Sequence, residues 1–115
     1  MNNMPPIWSN ADICLIMYDD VIESVLAQSA YTTQSLANEG FIHACNGRQV
    51  QEVIDKHYDR SQPMSIMIIN EQKLSAPVKH EGPSLSMLST EPFPHIYGPL
   101  NVDAVEHIIP LSEFI

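Results

Sequence analysis

His43 is the residue whose type and setting most suggest chemistry, and it lies in the string GFIHAC over residues 40–45. The apolar and aromatic content of this string predicts a β-strand. Side chains alternate along a strand, so Phe41, His43 and Cys45 are expected on one face and Ile42 on the other. If Ile42 faces the core, His43 faces a groove, where an imidazole can exchange a proton near neutral pH. The alternative is a core histidine whose hydrogen bonds are satisfied.

The second unusual string is FPHIYGPL, over residues 93–100. Two prolines and a glycine fix its path, which predicts a stiff extended or turned segment rather than a helix. If the segment is extended, His95 and Tyr97 share one side. A rigid segment that displays a histidine and a tyrosine suits ligand positioning, because little side-chain ordering remains to be done on binding. The alternative is a structural turn with a packed tyrosine.

Cys45 opens two further possibilities. With His43 two residues away it could ligate a metal, the remaining ligands then being His95, His80 or Glu81. No second closely spaced ligand pair is present, so no metal is expected. Cys45 could also be a nucleophile, with His95 or His80 as the activating base.

Two charged residues complete the candidate chemistry. Glu81 ends a strand predicted over residues 77–81, just before a loop at 82–92 that could cover a site. A glutamate there could orient a hydroxyl or stabilise a cationic transition state, unless it is simply a solvated surface residue. Arg48 follows Asn46, the predicted start of a helix, where backbone N–H groups also favour anions. It is the best cationic position that the chain offers.

The elements that must hold these residues follow from hydrophobic spacing. Strands are predicted over residues 13–17, 40–44, 64–69, 77–81 and 105–109, with a turn at 101–104. One helix is predicted to about Ala30, with Asp19 and Asp20 as candidate start residues and apolar residues at helical spacing from Val21 onward. A second is capped by Asn46, with Gln49 completing a capping box, and ends near Tyr58. Strands and helices alternate only at the start, so we expect an α+β fold with a small mixed or antiparallel sheet and two short helices.

Composition bounds the function classes. Fourteen acidic residues outnumber five basic ones among 115 residues, giving a formal net charge of −9. An acidic chain with no basic run repels phosphate backbones, so nucleic-acid binding is not expected. The apolar fraction of 44% and the charged fraction of 17% are typical of a globular protein. We therefore expect one domain over residues 12–115, preceded by a flexible, proline-containing arm over residues 1–11.

No membrane or export signal is evident. No apolar run approaches the ~20 residues of a membrane span, and residues 1–8 lack the basic start and apolar stretch of a signal peptide. A cytoplasmic protein is expected, in which Cys14 and Cys45 are reduced, buried thiols. One disulfide between them is the alternative.

Several strings taken together resemble the small bacterial domains called domain of unknown function 952, over about residues 30–111. The strings that carry the resemblance are Tyr31-x-x-x-Ser35-Leu36-x-x-Glu39-Gly40-Phe41-Ile42-His43, Gln49-Val50, Lys73-Leu74-x-Ala76-Pro77-Val78 and Phe93-Pro94-His95-Ile96-Tyr97-Gly98-Pro99-Leu100. The resemblance implies a compact fold similar to that of ADP-ribosyltransferases. By that similarity His43 would help hold a nicotinamide nucleotide such as NAD, and Glu81 would stabilise an oxocarbenium-like ribose.

Two functions are therefore expected for one groove. The first is a transferase- or lyase-like enzyme that acts on an NAD-like nucleotide or another small polar metabolite. Its catalytic residues would be His43, His95, Tyr97 and Glu81, and its ligand contacts Ser35, Phe41, Cys45, Arg48 and Phe93. The second is a non-catalytic module that binds a ligand or a partner in the same groove. The sequence does not indicate an oligomeric state.

Overall fold

The computed structural model describes residues 12–82 and 92–114. Within them, nine strands form three sheets whose strand pairs are all antiparallel. The strands are β1 (Ile13–Tyr18), β2 (Ala30–Tyr31), β3 (Ile42–His43), β4 (Cys45–Asn46), β5 (Met64–Ile69), β6 (Val78–Glu81), β7 (Phe93–Ile96), β8 (Leu100–Asn101) and β9 (Val105–Pro110). The sheets run β4-β1-β5-β9, β3-β7-β6 and β2-β8.

Four α-helices accompany these strands in the described residues. They are α1 (Asp19–Leu26), α2 (Gln34–Glu39), α3 (Val50–His57) and α4 (Leu111–Phe114). Short 3-10 turns span Gly47–Gln49, Glu71–Lys73 and Val102–Ala104. The α+β class is as the sequence predicts, but two helices were expected where four occur. No helix in the described part of the chain is long and apolar enough to cross a membrane.

The central strands β1 and β5 of the four-stranded sheet are buried on both faces, which is why they read as continuous apolar runs. Odd-numbered side chains of β1 pack in one core with Ile42 and Ile96 of the three-stranded sheet. Even-numbered side chains pack in a second core with Val50 and Ile54 of α3. The three-stranded sheet and α3 are thereby fixed on opposite sides of β1.

The strand predicted over residues 40–44 is in fact two short strands in different sheets. β3 pairs with β7, whereas β4 pairs with β1, where Cys45 lies opposite Cys14. Between them the Ala44 N–H donates to the Pro94 carbonyl at 3.2 Å. The prediction that Cys45 shares a strand face with His43 is wrong, because side-chain alternation does not continue through a change of sheet. His43 is exposed and Cys45 is only 2% exposed.

The first helix begins at a predicted start residue but ends earlier than predicted. α1 begins at Asp19 and ends at Leu26, after which the Val102 N–H donates to the Ser29 carbonyl at 3.0 Å. This bond leads the chain into β2, so residues 27–30 are not helical. α2 was not predicted, because its six residues bury no side chain and so show no apolar stripe. Its cap at Thr33 and its stop at Gly40, with φ of 92°, are the signals that it does carry.

Other predicted elements are confirmed. β5 spans Met64–Ile69 as predicted, and the Asn46–Gln49 capping box is present, with the Asn46 N–H donating to Gln49 Oε1 at 2.7 Å. Residues 93–96 are extended, as β7 at the centre of the three-stranded sheet. The predicted arm over residues 1–11, and the predicted loop except its ends at 82 and 92, lie outside the described residues.

Candidate functional site

The outward face of the three-stranded sheet gathers most of the predicted site residues. Strand register places His43 opposite His95 on one side and Lys79 opposite His95 on the other. Glu81, two residues beyond Lys79, lies on the same face and contacts both His95 and Tyr97. The prediction that His95 and Tyr97 share a side is confirmed by these contacts. Backbone pairing of β6 with β7 is therefore what brings the acid to the imidazole.

The Glu81 carboxylate organises this face through one oxygen. Its Oε1 lies 2.7 Å from His95 Nδ1 and 2.6 Å from the Tyr97 hydroxyl. A carboxylate can only accept, so Nδ1 carries a proton and the phenol donates. In the neutral imidazole, Nε2 of His95 is then the basic nitrogen. Nε2 has no hydrogen-bond partner among the residues that the structure describes.

The two hydrogen bonds also fix the charge of the acid. They lower the pKa of Glu81, the Tyr97 hydroxyl having the larger effect and His95 the next. The same bond to Glu81 raises the pKa of Tyr97. Glu81 is therefore ionised at neutral pH, and Tyr97 remains a protonated phenol that holds it in place.

Phe41 fixes the plane of the His95 ring. The two rings stack with centroids 4.1 Å apart and an interplanar angle of 12°. The same phenylalanine meets the ring of His43 edge-on at 4.9 Å and lies 5.2 Å from that of Tyr97. The ammonium of Lys79 lies 4.8 Å from the centre of the Tyr97 ring. The His95 imidazole is thus held by a carboxylate at one edge and by an aromatic ring on one face, and it is only 12% exposed.

His43 belongs to the same cluster but is less constrained. Its ring centroid is 5.5 Å from that of His95, with the rings 76° apart. Its Nε2 lies 3.2 Å from Glu39 Oε2, and both side chains are exposed to solvent. Glu39 is the last residue of α2, and the left-handed backbone at Gly40 turns the chain back so that the two side chains meet. The His43 side chain is therefore held by fewer contacts than that of His95 and remains open to solvent.

Ser35 positions Phe41 through a hydrogen bond to the main chain of Phe41. Ser35 Oγ donates to the Phe41 carbonyl at 2.8 Å and lies 2.7 Å from Thr33 Oγ1. A hydroxyl has one proton, and Ser35 gives its proton to Phe41, so Thr33 must donate to Ser35. Thr33 in turn caps α2 by accepting from the Leu36 N–H at 3.1 Å. Ser35 was predicted to contact ligand; these bonds give it a structural task in addition.

A cavity of about 550 Å³ opens between this face and the end of α3. Its polar lining residues are Tyr58 and four side chains that we refer to as the rim, namely Glu39, His43, His57 and His95. Its inner wall is largely apolar and includes Cys14, Ile16, Cys45, Val53 and Phe93. The volume is within the range that small-molecule sites occupy, roughly 300–1,000 Å³, and such sites combine apolar walls with a few polar groups in this way.

Most of the predicted residues meet at this cavity. Those that line it are Phe41, His43, Cys45, Phe93 and His95. Glu81 and Tyr97 are not among the described lining residues. Glu81 contacts the lining residue His95, and Tyr97 contacts Glu81. Ser35 lines a smaller cavity of about 190 Å³, on which His43 also borders. Arg48 is exposed on the turn before α3 and does not belong to the described lining of either cavity.

Sequence reasoning missed several lining residues, among them Glu39 and His57. Glu39 is four residues before His43, but only the undetected helix α2 makes that spacing meaningful. His57 lies on a correctly predicted helix, on the face marked by Val53. Its place at the cavity depends on how α3 packs on β1, which spacing along the helix does not give.

The two cysteines are free, buried thiols. Burial raises the pKa of Cys14 to about 12, with a smaller contribution from the Asp12 charge. Burial likewise raises the pKa of Cys45, with Cys14 adding to the effect. Both therefore remain protonated near neutral pH, which argues against Cys45 as a nucleophile since the thiolate is the reactive form. Across residues 12–82 and 92–114, no three His, Cys, Asp or Glu side chains are grouped so as to hold a metal ion.

Comparisons with known proteins agree on the family and the fold. Residues 16–108 match the family model described as "Protein of unknown function (DUF952)". The crystal structure of protein CC0527 from Caulobacter crescentus is similar with a TM-score of 0.72 and 24% identity, over 87% of this chain and 85% of that one. The solution NMR structure of CC0527 gives a TM-score of 0.66 and 24% identity, over 84% and 81%. No curated protein matches the chain.

Proposed function

The chain belongs to the DUF952 family, and we propose that it binds a small molecule in the 550 Å³ cavity and uses His95 as a general acid–base toward it. The single observation that carries the proposal is the Glu81–His95 pair. The Nδ1–H of His95 is fixed by the Glu81 carboxylate at 2.7 Å, and the His95 ring forms part of the cavity wall. A carboxylate and an imidazole arranged in this way are more than packing requires.

The chemistry follows from the two ring nitrogens. A ligand proton within reach of Nε2 can be transferred to His95, and the resulting imidazolium is stabilised by the ionised Glu81 at Nδ1. Tyr97 and Phe41 keep the carboxylate and the ring in position, so no side chain needs to reorganise as the charge appears. A correctly placed acid–base group contributes a rate factor of about 10²–10⁴. Glu81 and Tyr97 act in this scheme through His95 rather than by touching the ligand.

The geometry favours a ligand without phosphates over NAD. Among the described residues that line the cavity there is no Lys or Arg to pair with a pyrophosphate. An ADP-ribosyltransferase-like reaction would also direct the glutamate at the ribose, whereas Glu81 Oε1 already accepts from His95 and Tyr97. The similarity to ADP-ribosyltransferases that the family resemblance implies supports NAD as a candidate only through the nucleotide-holding role that it gives to His43. NAD and ADP-ribose therefore belong in the ligand screen as a defined test.

The proposal is tested by a ligand screen read by two-dimensional ¹H–¹⁵N NMR, which resolves single residues in a 12.9 kDa protein. Fragments, common metabolites, NAD and ADP-ribose are titrated into the parent and into His95→Asn. His107→Asn is the matched control, because His107 is exposed on β9 and is not part of the described cavity lining.

Saturable shifts at Phe41, His43 and His95 that persist in His107→Asn support a ligand site. If the bound compound is also converted, His95→Asn should slow conversion by about 10²–10⁴-fold. Binding without conversion, even after long incubation with the parent protein, would favour a non-catalytic binding module in the same cavity. Hits that map only to other surfaces would overturn both forms of the proposal.

A further inference from the structure

The charge of the cavity wall narrows the ligand class. The rim contains the Glu39 carboxylate and three imidazoles, and the described lining contains no Lys or Arg. Glu81 adds a second ionised carboxylate directly behind His95. Lys79 faces the Tyr97 ring at 4.8 Å and offsets part of that second charge, whereas Glu39, whose Oε2 lies 3.2 Å from His43 Nε2, is the carboxylate at the opening itself.

We propose that this cavity selects small organic amines, whose ammonium lies at the rim beside Glu39 and whose apolar body occupies the inner wall. The inference rests on the proposed small-molecule function and adds the ligand class to it. Three features of the wall match such a molecule. A half-exposed carboxylate can receive the ammonium, the Phe41 ring forms part of the same cavity wall, and Ile16, Val53 and Phe93 can receive the apolar body.

Two physical effects favour an ammonium over a neutral or anionic group. Opposite charges at the rim attract, and the low polarity of the inner wall reduces the screening of that attraction. A carboxylate ligand meets like charge at Glu39 and no cationic partner in the described lining. The net charge of −9 for the whole chain acts in the same direction over longer distances.

The experiment uses three probes with the same phenyl body, namely benzylamine, benzyl alcohol and benzoate. Each is titrated at pH 7.5 into the ¹⁵N-labelled full chain, and the shifts of Phe41, His43 and His95 are fitted to a binding curve. We expect benzylamine to bind at least about tenfold more tightly than benzyl alcohol, which corresponds to ~1.4 kcal/mol. Benzoate should give no saturable shift over the same concentrations.

Two variants separate the rim charge from the overall charge. Glu39→Gln should bring benzylamine to within about threefold of benzyl alcohol, because it removes the charge of the rim carboxylate while preserving size. Glu106→Gln removes the same unit of charge from β9, where Glu106 lies 3.6 Å from Lys73 Nζ, and should leave the preference unchanged. Equal binding of all three probes would overturn the amine inference and leave the small-molecule site standing. No saturable shift at the cavity with any probe would overturn the inference and also weigh against the site itself.

Discussion

The contact between Gly98 and Ala76 is a point at which a single methyl group should be felt. Gly98 follows Tyr97, whose N–H donates to the Pro77 carbonyl at 2.8 Å. A Cβ built on Gly98 would lie 2.9 Å from Ala76 Cβ. Two carbons prefer a separation of roughly 3.5–4.0 Å, so either the Tyr97 segment or the chain before β6 must move. Gly98→Ala should therefore strain the junction that holds Tyr97 against Glu81.

The expected cost can be estimated from packing. A side chain at the Gly98 φ of 158° is strained in itself, and forcing its methyl group into a tight contact typically costs a further 1–3 kcal/mol in the free energy of unfolding. An unfolding entropy of ~2.1 cal/mol/K per residue gives about 240 cal/mol/K for 115 residues. Dividing the packing cost of 1–3 kcal/mol by this entropy predicts that packing alone lowers Tm by about 4–12 °C.

The assay is thermal unfolding followed by circular dichroism, with Ala76→Gly and the double variant as a mutant cycle. Ala76→Gly alone removes one methyl group and adds backbone freedom, so it should destabilise by roughly 1–2 kcal/mol. In the double variant the new methyl group at residue 98 no longer meets one at residue 76. The double variant should therefore be less destabilised than the sum of the singles by at least about 1 kcal/mol. Additive effects, or a Gly98→Ala variant as stable as the parent, would refute the close contact.

Three further outcomes are expected from the same structure. Two hydrogen bonds lower the pKa of Glu81, so its ionised form stabilises the fold at pH values above the ordinary glutamate pKa of 4.5, and this contribution is lost as the pH falls through the lowered pKa. Tyr97→Phe should raise the pKa of Glu81 in a carboxyl ¹³C NMR titration. An unchanged pKa would contradict the hydrogen bond from Tyr97. Cys14 and Cys45 should resist a disulfide reagent at pH 8 in the native state and react fully in denaturant, whereas fast native reaction of either thiol would show that burial does not suppress the thiolate. Gly40→Ala should lower stability by about 1–2 kcal/mol in chemical denaturation, since φ is 92° there, and a neutral effect would mean that α2 ends differently.

Local sequence signals predicted those parts of the fold that local physics decides. The apolar run at residues 64–69 became the central strand β5, and Asn46 with Gln49 formed the capping box. Alternation placed His95 and Tyr97 on one side, because the prolines keep that segment extended. The face on which His95 and Tyr97 lie could therefore be predicted from the eight residues 93–100 alone.

The remainder depends on tertiary pairing that no local window contains. The chain changes sheets at Ala44, which separates Cys45 from the strand face of His43. Glu81 was predicted as a catalytic residue, and pairing of β6 with β7 directs its carboxylate to His95 and Tyr97. Glu39 entered the cavity rim through a helix that buries none of its side chains and so leaves no hydrophobic pattern. These outcomes require knowledge of which strands pair, and spacing along the chain does not provide it.

The most direct test of the proposed acid–base role is the tautomer of His95, read from its imidazole ¹⁵N shifts in long-range ¹H–¹⁵N spectra at pH 8. The 2.7 Å bond to Glu81 predicts that the neutral form of the ring is protonated at Nδ1 and unprotonated at Nε2. Glu81→Ala should convert His95 to a mixture of tautomers, while His107 should keep the same spectrum in both proteins. A parent protein in which His95 is mainly protonated at Nε2 would contradict the orientation by Glu81, and with it the general base that the proposed function requires.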